Sequence, residues 1–242
     1  MTLDRAGRPA TPMRQWPDEG DRRNKGFCAH CGGPEETRDH NPSKVFLDIP
    51  LPPNLPVASS CAACNSGFSD DEEYLACLVE CVLAGEVEPS LIERSSVAKT
   101  LAGNRRLQRE LAQCRREHDG QILWNPDAVR VSRIAEKLAR GLVDYELNEP
   151  QLHAPDLTSS RPLMLMAYGE LRAFEGEPGG LAFWPEIGSR AFHRLLLGGN
   201  DEFENGWIVV QQDRFRYRVT QESGIWVRMV LREYLAMEIA WL

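Results

Sequence analysis

The sequence predicts an α+β fold, and three observations lead to that class. Two Cys-x-x-Cys pairs lie in the first third of the chain, stretches with helical periodicity follow them, and alternating strand-like stretches come last. We predict a flexible arm over residues 1–25, where charge, proline and glycine mix without apolar periodicity. A metal-stapled module over residues 26–86 follows, and then helices and mostly antiparallel strands over residues 87–242.

Composition and charge limit the classes of function. The chain has 242 residues, 42% of them hydrophobic, which is ordinary for a globular protein with a real core. Its net charge of −8 equals the contribution of residues 67–93, which hold eight acidic residues and no basic one. A surface of this kind disfavours nucleic acid without excluding it, because the remainder is close to neutral. No apolar run approaches a bilayer span and the N-terminus lacks a secretory pattern, so we expect a cytoplasmic protein with no membrane partner.

Three helices are expected in the middle of the chain. Ser69 and Glu72 have capping-box spacing, which predicts a helix from there to about Leu83. Residues 90–117 have helical apolar spacing, with Gly103-Asn104 as a candidate break. A third helix follows Asn125, the candidate cap, and Pro126. Its apolar positions form one stripe: Val131, Ile134, Leu138 and Leu142.

The last third is expected to contain strands. Residues 163–174 are a candidate strand or hairpin. Residues 214–219 alternate arginine with apolar side chains, which is the period of a strand. Residues 221–224, a Gln-Glu-Ser-Gly turn, would reverse the chain so that residues 225–231 pair with this strand. Residues 234–241 are expected to form a final helix.

Two Cys-x-x-Cys pairs with 29 residues between them predict a zinc site. In each pair the two thiolates can bind one metal ion. The residue that follows the pair, Gly32 or Asn65, is suited to a tight turn of the backbone around that ion. A redox pair with buried thiols is the alternative. Four thiolates would complete tetrahedral coordination, so such a zinc ion is structural. The predicted ligands are Cys28, Cys31, Cys61 and Cys64.

Between these pairs lies the dipeptide Asp39-His40, which suits hydrolysis. An imidazole can take a proton from water near neutral pH, and a carboxylate can hold a divalent ion. A dipeptide of this kind on its own is more often an ordinary surface pair.

Together, Asp39-His40, Asn54 and Cys64-Asn65 resemble the motif of HNH endonucleases, the ββα-metal group, in the treble-clef-like version stapled by four cysteines. The resemblance implies that His40 is the general base and that Asn54 supports the loop carrying it. It implies that Asp39 and Asn65 bind a catalytic Mg²⁺, for which Mn²⁺ can substitute. The intervals of 14 and 25 residues from His40 to the two asparagines agree with the family.

The chain departs from many family members after Cys64-Asn65. Ser66-Gly67-Phe68-Ser69 stands where those members have a phosphate-contacting lysine, and acidic residues follow. Substrate contacts are therefore expected elsewhere, unless the arginines only form solvated polar faces. The candidate residues are Arg105 and Arg109 on one helix face, and Arg214, Arg216 and Arg218 on one strand face, with Arg228 opposite.

The resemblance implies an Mg²⁺-dependent endonuclease acting on nucleic acid, DNA before RNA. The chief alternative is a non-catalytic zinc module that binds protein or nucleic acid. A third is the nuclease subunit of a bacterial defence or toxin complex, because the chain is acidic and continues for about 150 residues beyond the motifs. A protein partner or a homo-oligomer is compatible with each of these readings.

Overall fold

The computed structural model describes residues 13–176, 185–198, 203–221 and 223–242. Residues 1–12 of the predicted arm and Glu222 of the predicted turn lie outside these ranges. Within residues 13–25 the side chains of Met13 and Trp16 are buried, at 6% and 3% exposure, and anchor this part of the predicted arm. The chain divides into two compact units, Met1–Gly67 with Ala135–Leu242, and Phe68–Ile134.

The first unit begins with a small β-hairpin followed by a helix. Strand β1 (Thr37–His40) pairs antiparallel with β2 (Val57–Ser60), in a register that sets His40 opposite Val57. Prolines keep the connection between them non-helical, apart from a 3-10 turn over Lys44–Phe46. Helix α1 (Ala62–Gly67) starts directly after Cys61. The second cysteine pair therefore lies where β2 passes into α1, and the first pair precedes β1.

A five-stranded antiparallel sheet forms the C-terminal part of this unit. Its strands are β5 (Leu157–Pro162), β6 (Ile208–Gln211), β7 (Phe215–Thr220), β8 (Ile225–Leu231) and β9 (Leu235–Trp241), in the order β5-β9-β8-β7-β6. The predicted β7–β8 hairpin is confirmed, and its register sets Arg218 opposite Arg228. Short helices α6 (Tyr168–Glu175) and α7 (Arg190–His193) precede β6, and α7 continues as a π-helical turn over Arg194–Gly198.

Two predictions in this region are wrong. The expected strand over residues 163–174 is a 3-10 turn (Leu163–Leu165) followed by α6, where the Glu170 side chain accepts a hydrogen bond from the Ala167 N–H. The expected C-terminal helix is β9. Six of its seven residues are buried, on both faces of the strand, so the sequence lacks strand alternation. Its register with β8, from Ile225 opposite Trp241 to Leu231 opposite Leu235, decides the conformation.

The second unit is mainly helical. It contains α2 (Ser69–Ala84), α3 (Ser95–Gly103), α4 (Arg105–Cys114) and a hairpin of β3 (Arg115–His118) with β4 (Gln121–Trp124). The expected break between α3 and α4 is confirmed, and the Asn104 side chain caps α4 by accepting from the Leu107 N–H at 3.0 Å. The hairpin replaces the end of the helix predicted to reach residue 117. Asp119 and Gly120 both have positive φ, which is the turn chemistry that reverses the chain there.

Helix α5 covers Ala128–Leu147. Its cap is Asp127 and not the predicted Asn125, because the Asp127 carboxylate accepts from the N–H groups of Val129 and Arg130. The predicted stripe is confirmed: Val131, Ile134, Leu138 and Leu142 are all buried. Within the described ranges, no helix combines the length and hydrophobicity that a bilayer crossing requires.

Candidate functional site

The four predicted cysteines converge on one point. Their Sγ atoms all lie within 4.8 Å of one another, and those of Cys31 and Cys61 are 3.7 Å apart. A tetrahedral zinc ion with Zn–S bonds of about 2.3 Å sets its sulfurs about 3.8 Å apart. A disulfide would need an S–S distance of about 2.05 Å, and all four thiols are free. The cluster of Cys28, Cys31, Cys61 and Cys64 therefore fits a single zinc ion.

Backbone N–H groups point at the sulfurs, as expected where thiolates bind metal. His30 N–H donates to Cys28 Sγ at 3.4 Å, and Cys64 N–H donates to Cys61 Sγ at 3.3 Å. Burial raises the pKa of the Cys28 thiol, but the N–H groups of Cys61, His30 and Cys31 outweigh it and lower the pKa to about 6. Burial and the neighbouring thiols raise the pKa of Cys64. Cys28 therefore ionises more readily than Cys64.

The two cysteine pairs differ in local structure. Gly32 has φ of 73°, and its N–H donates to the Cys28 carbonyl at 2.8 Å, so the first pair lies in the predicted tight turn. The second pair lies at the start of α1, where Asn65 is helical and its N–H donates to the Cys61 carbonyl. A left-handed Asn65 was expected and is not found, because a helix replaces the second turn.

Asp39 is buried, and its carboxylate is already engaged. Its exposure is 5%, His30 Nε2 lies 3.1 Å from Oδ2, and Lys137 Nζ lies 2.8 Å from both oxygens. Burial alone would raise the pKa of this carboxyl. The hydrogen bond from His30 and the charge of Lys137 outweigh burial and lower it. Asp39 is thus an ionised carboxylate held by a histidine and a lysine.

Neither of these two partners was predicted. His30 lies between the predicted zinc ligands Cys28 and Cys31, and its buried ring joins the first cysteine pair to β1. Lys137 lies on α5, 98 residues from Asp39, and its side chain is fully buried. It also donates to Ser43 Oγ at 2.8 Å and to the His40 carbonyl at 3.4 Å. No local pattern connects Asp39 with Lys137, so only the tertiary structure reveals the pair.

His40 follows Asp39 at the end of β1 and is half-buried. Burial lowers the pKa of its imidazole, and the charges of Lys44 and Lys137 lower it further, against the opposing effect of Asp39. The ring is therefore neutral at pH 7 and has a lone pair that can accept a proton.

The side chains of the two predicted asparagines both donate hydrogen bonds within the chain. Asn54 is exposed with φ of 61°, and its Nδ2 donates to the carbonyl of Met13 at 3.2 Å, so it secures the N-terminal segment. Asn65 Nδ2 donates to Thr37 Oγ1 at 3.2 Å, at the start of β1 and not at Asp39. The loop after His40 is fixed instead by buried Asn41, whose N–H donates to the Pro56 carbonyl and whose Nδ2 donates to the Asp39 carbonyl.

No family model, no curated protein and no solved structure matches this chain. What the chain does must therefore be inferred from its own residues.

The two predicted arginine clusters differ in whether their guanidinium groups reach solvent. Arg105 and Arg109 are exposed on α4, where Arg105 donates to Gln108 and Arg109 donates to the Arg105 carbonyl. Both guanidinium groups reach solvent on one helix face, as predicted from the i, i+4 spacing.

The strand arginines form internal contacts. Arg214 pairs with Asp48 at 2.5 Å, and Arg216 pairs with Glu175 at 2.8 Å. Arg218 is buried and donates to the Glu175 carbonyl at 2.7 Å. We therefore assign these three arginines to anchoring β7 and the residue before it to Asp48 and Glu175, and not to contacting substrate. Sequence alternation could not reveal their partners, which lie far away along the chain.

Proposed function

We propose that this chain hydrolyses phosphodiester bonds in nucleic acid, DNA before RNA, with His40 as the general base. The observation that carries the proposal is a neutral, half-buried imidazole at the end of a hairpin whose partner strand leads into a four-cysteine cluster. The resemblance to HNH endonucleases supports the same role for His40.

The chemistry asked of His40 is proton transfer. Its imidazole takes a proton from a water molecule, whose oxygen bonds to phosphorus while the bond between phosphorus and the sugar oxygen breaks. The departing sugar oxygen takes a proton from solvent. A positioned general base of this kind contributes about 10² to 10⁴ in rate. Zinc bound by the four cysteines would act structurally, because four thiolates leave it no open position. Free thiols throughout the described chain also suit the reducing cytoplasm expected from the sequence.

The magnesium ion implied by the family resemblance does not fit the residues as they are arranged. Both oxygens of Asp39, the only charged ligand of the expected pair, are already engaged by the buried side chains of His30 and Lys137. A hydrated Mg²⁺ needs accessible oxygen ligands and keeps several waters. We therefore derive no catalytic step from an ion at Asp39. Exposed Arg105 and Arg109 are the groups we propose for contacting phosphates.

The test is digestion of plasmid, single-stranded DNA and RNA with Mg²⁺ or Mn²⁺, comparing the wild type with His40→Ala. His118→Ala is the matched control, because His118 also neighbours an aspartate, at 3.4 Å from Asp119, but lies exposed on the β3–β4 hairpin. We expect His40→Ala to lose cleavage while keeping zinc content and melting temperature, and His118→Ala to cut normally. Equal cutting by His40→Ala on every substrate would refute His40 as the base.

Because both oxygens of Asp39 already have partners, a second function is also favoured, that of a non-catalytic zinc module that binds protein or nucleic acid. Such a module needs the cysteines but not the imidazole. If neither the wild type nor His40→Ala cuts any substrate, while both bind nucleic acid equally and lose binding without zinc, this second function is the better account.

A further inference from the structure

A set of oxygen atoms surrounds the buried end of Lys137. Both carboxylate oxygens of Asp39 and the hydroxyl of Ser43 lie 2.8 Å from Nζ, and the carbonyl of His40 lies 3.4 Å from it. All four are hard oxygen donors, the kind that Mg²⁺ and Mn²⁺ prefer in proteins. Three of the four atoms belong to Asp39 and His40, the two residues expected to form the hydrolytic centre.

A lysine ammonium matches this environment in charge and in donor number. It offers three N–H donors to these oxygens, and the side chain has no exposure. His30 Nε2 covers the Asp39 carboxylate on another side, at 3.1 Å. The charge of the Asp39 carboxylate is therefore balanced, and its oxygens are covered, without a metal ion.

We infer that the ammonium of Lys137 is the resident cation of this site and takes the place of a divalent metal ion beside His40. Lys137 then has two effects. It fixes the end of β1 through the His40 carbonyl, and it denies Asp39 to a hydrated ion. The inference deepens the proposed function by saying what occupies its expected metal position, but it is tested by metal binding and not by cleavage.

The inference has a direct consequence for substitution. Lys137→Met keeps much of the side-chain length but removes the charge and the three donors. The oxygens of Asp39, Ser43 and His40 would then lose their cation, with His30 remaining against the carboxylate, and a divalent cation can take the place of the ammonium. The double variant Asp39→Asn with Lys137→Met removes both charges together, so it leaves no buried carboxylate to attract an ion.

The experiment measures Mn²⁺ binding by electron paramagnetic resonance and by thermal shift on the full, zinc-loaded chain. We expect Lys137→Met to bind about one Mn²⁺ more than the wild type, and its Tm to rise by roughly 5 to 10 °C at a hundredfold excess over Kd. The wild type and the double variant should bind equal amounts of Mn²⁺. Lys44→Met, which removes an exposed lysine from the same loop, should behave as the wild type.

Two results would overturn the inference. The first is a wild type that binds one Mn²⁺ more than the double variant, because Asp39 would then hold a divalent ion despite Lys137. This comparison decides the matter even if Lys137→Met does not fold. The second is a folded Lys137→Met that gains no Mn²⁺. Cleavage by any variant bears on the proposed function and leaves both comparisons unchanged.

Discussion

Replacing Gly141 by alanine tests how closely α5 packs on the loop beside His40. A Cβ built on Gly141 would overlap the side chain of Asn41, well inside van der Waals contact. Asn41 is fully buried and donates to the Asp39 carbonyl, so it has little room to move. Alanine in a helix interior normally stabilises by about 1 kcal/mol relative to glycine. Overpacking costs about 1 to 3 kcal/mol, and the strained hydrogen bond adds about 1 kcal/mol.

The net expectation for Gly141→Ala is a loss of about 2 kcal/mol, which lowers Tm by roughly 4 to 8 °C in a chain of this size. Urea unfolding followed by circular dichroism measures the change, with a shifted midpoint and an unchanged slope. Gly169→Ala is the matched control, because Gly169 lies on α6 in the same unit and its added Cβ meets nothing within 4 Å. If both variants are equally stable, the close packing of α5 on Asn41 is refuted.

Three further predictions concern the metal, the substrate and pH. Purified protein should hold about one zinc by elemental analysis, and Cys64→Ser should lose it and lower Tm; reduced protein without zinc would contradict this. Charge reversal of Arg105 and Arg109 to glutamate should weaken nucleic-acid binding and reduce its salt slope, by about 0.9 per lost phosphate contact; an unchanged slope would assign both to a solvated face. Burial raises the pKa of Asp144 to about 7 from 3.8, so the folded state retains a proton that the unfolded chain releases. The free energy of unfolding therefore falls as pH rises from 3.8 to about 7. Asp144→Asn should raise Tm more at about pH 8 than at about pH 5, and equal increases in Tm at the two pH values would contradict a raised pKa of Asp144.

Local patterns predicted those parts of the fold that neighbouring residues determine. The cysteine spacing predicted the thiol cluster, because two residues between thiols already bring them near one ion. The stripe on α5 was predicted correctly because burial of one helix face sets its period, and the alternation in β7 because successive side chains point to opposite faces of a strand. The pairing of β7 with β8 was predicted from the turn-forming residues between them.

The features that could not be predicted depend on contacts between residues far apart in the chain. Asp39 could be recognised as a candidate ligand, but its partner Lys137 comes 98 residues later in an unremarkable helix position. The sequence of β9 is apolar on both faces, so only pairing with β8 and β5 distinguishes it from a helix. Arg216 had strand alternation typical of an exposed face, yet carboxylates from other parts of the chain neutralise it.

The turn between β8 and β9 illustrates a conflict between local and long-range preferences. Arg232 and Glu233 both have positive φ, at 59° and 48°, where side chains other than glycine or asparagine cost on the order of 1 kcal/mol each. The Glu233 carboxylate, however, lies 2.9 Å from Arg216 on β7. Replacing the turn with Asn-Gly would relax the backbone but leave Arg216 with one carboxylate fewer. An engineer choosing turn residues from hairpin statistics would therefore strengthen the loop and weaken the sheet that it connects.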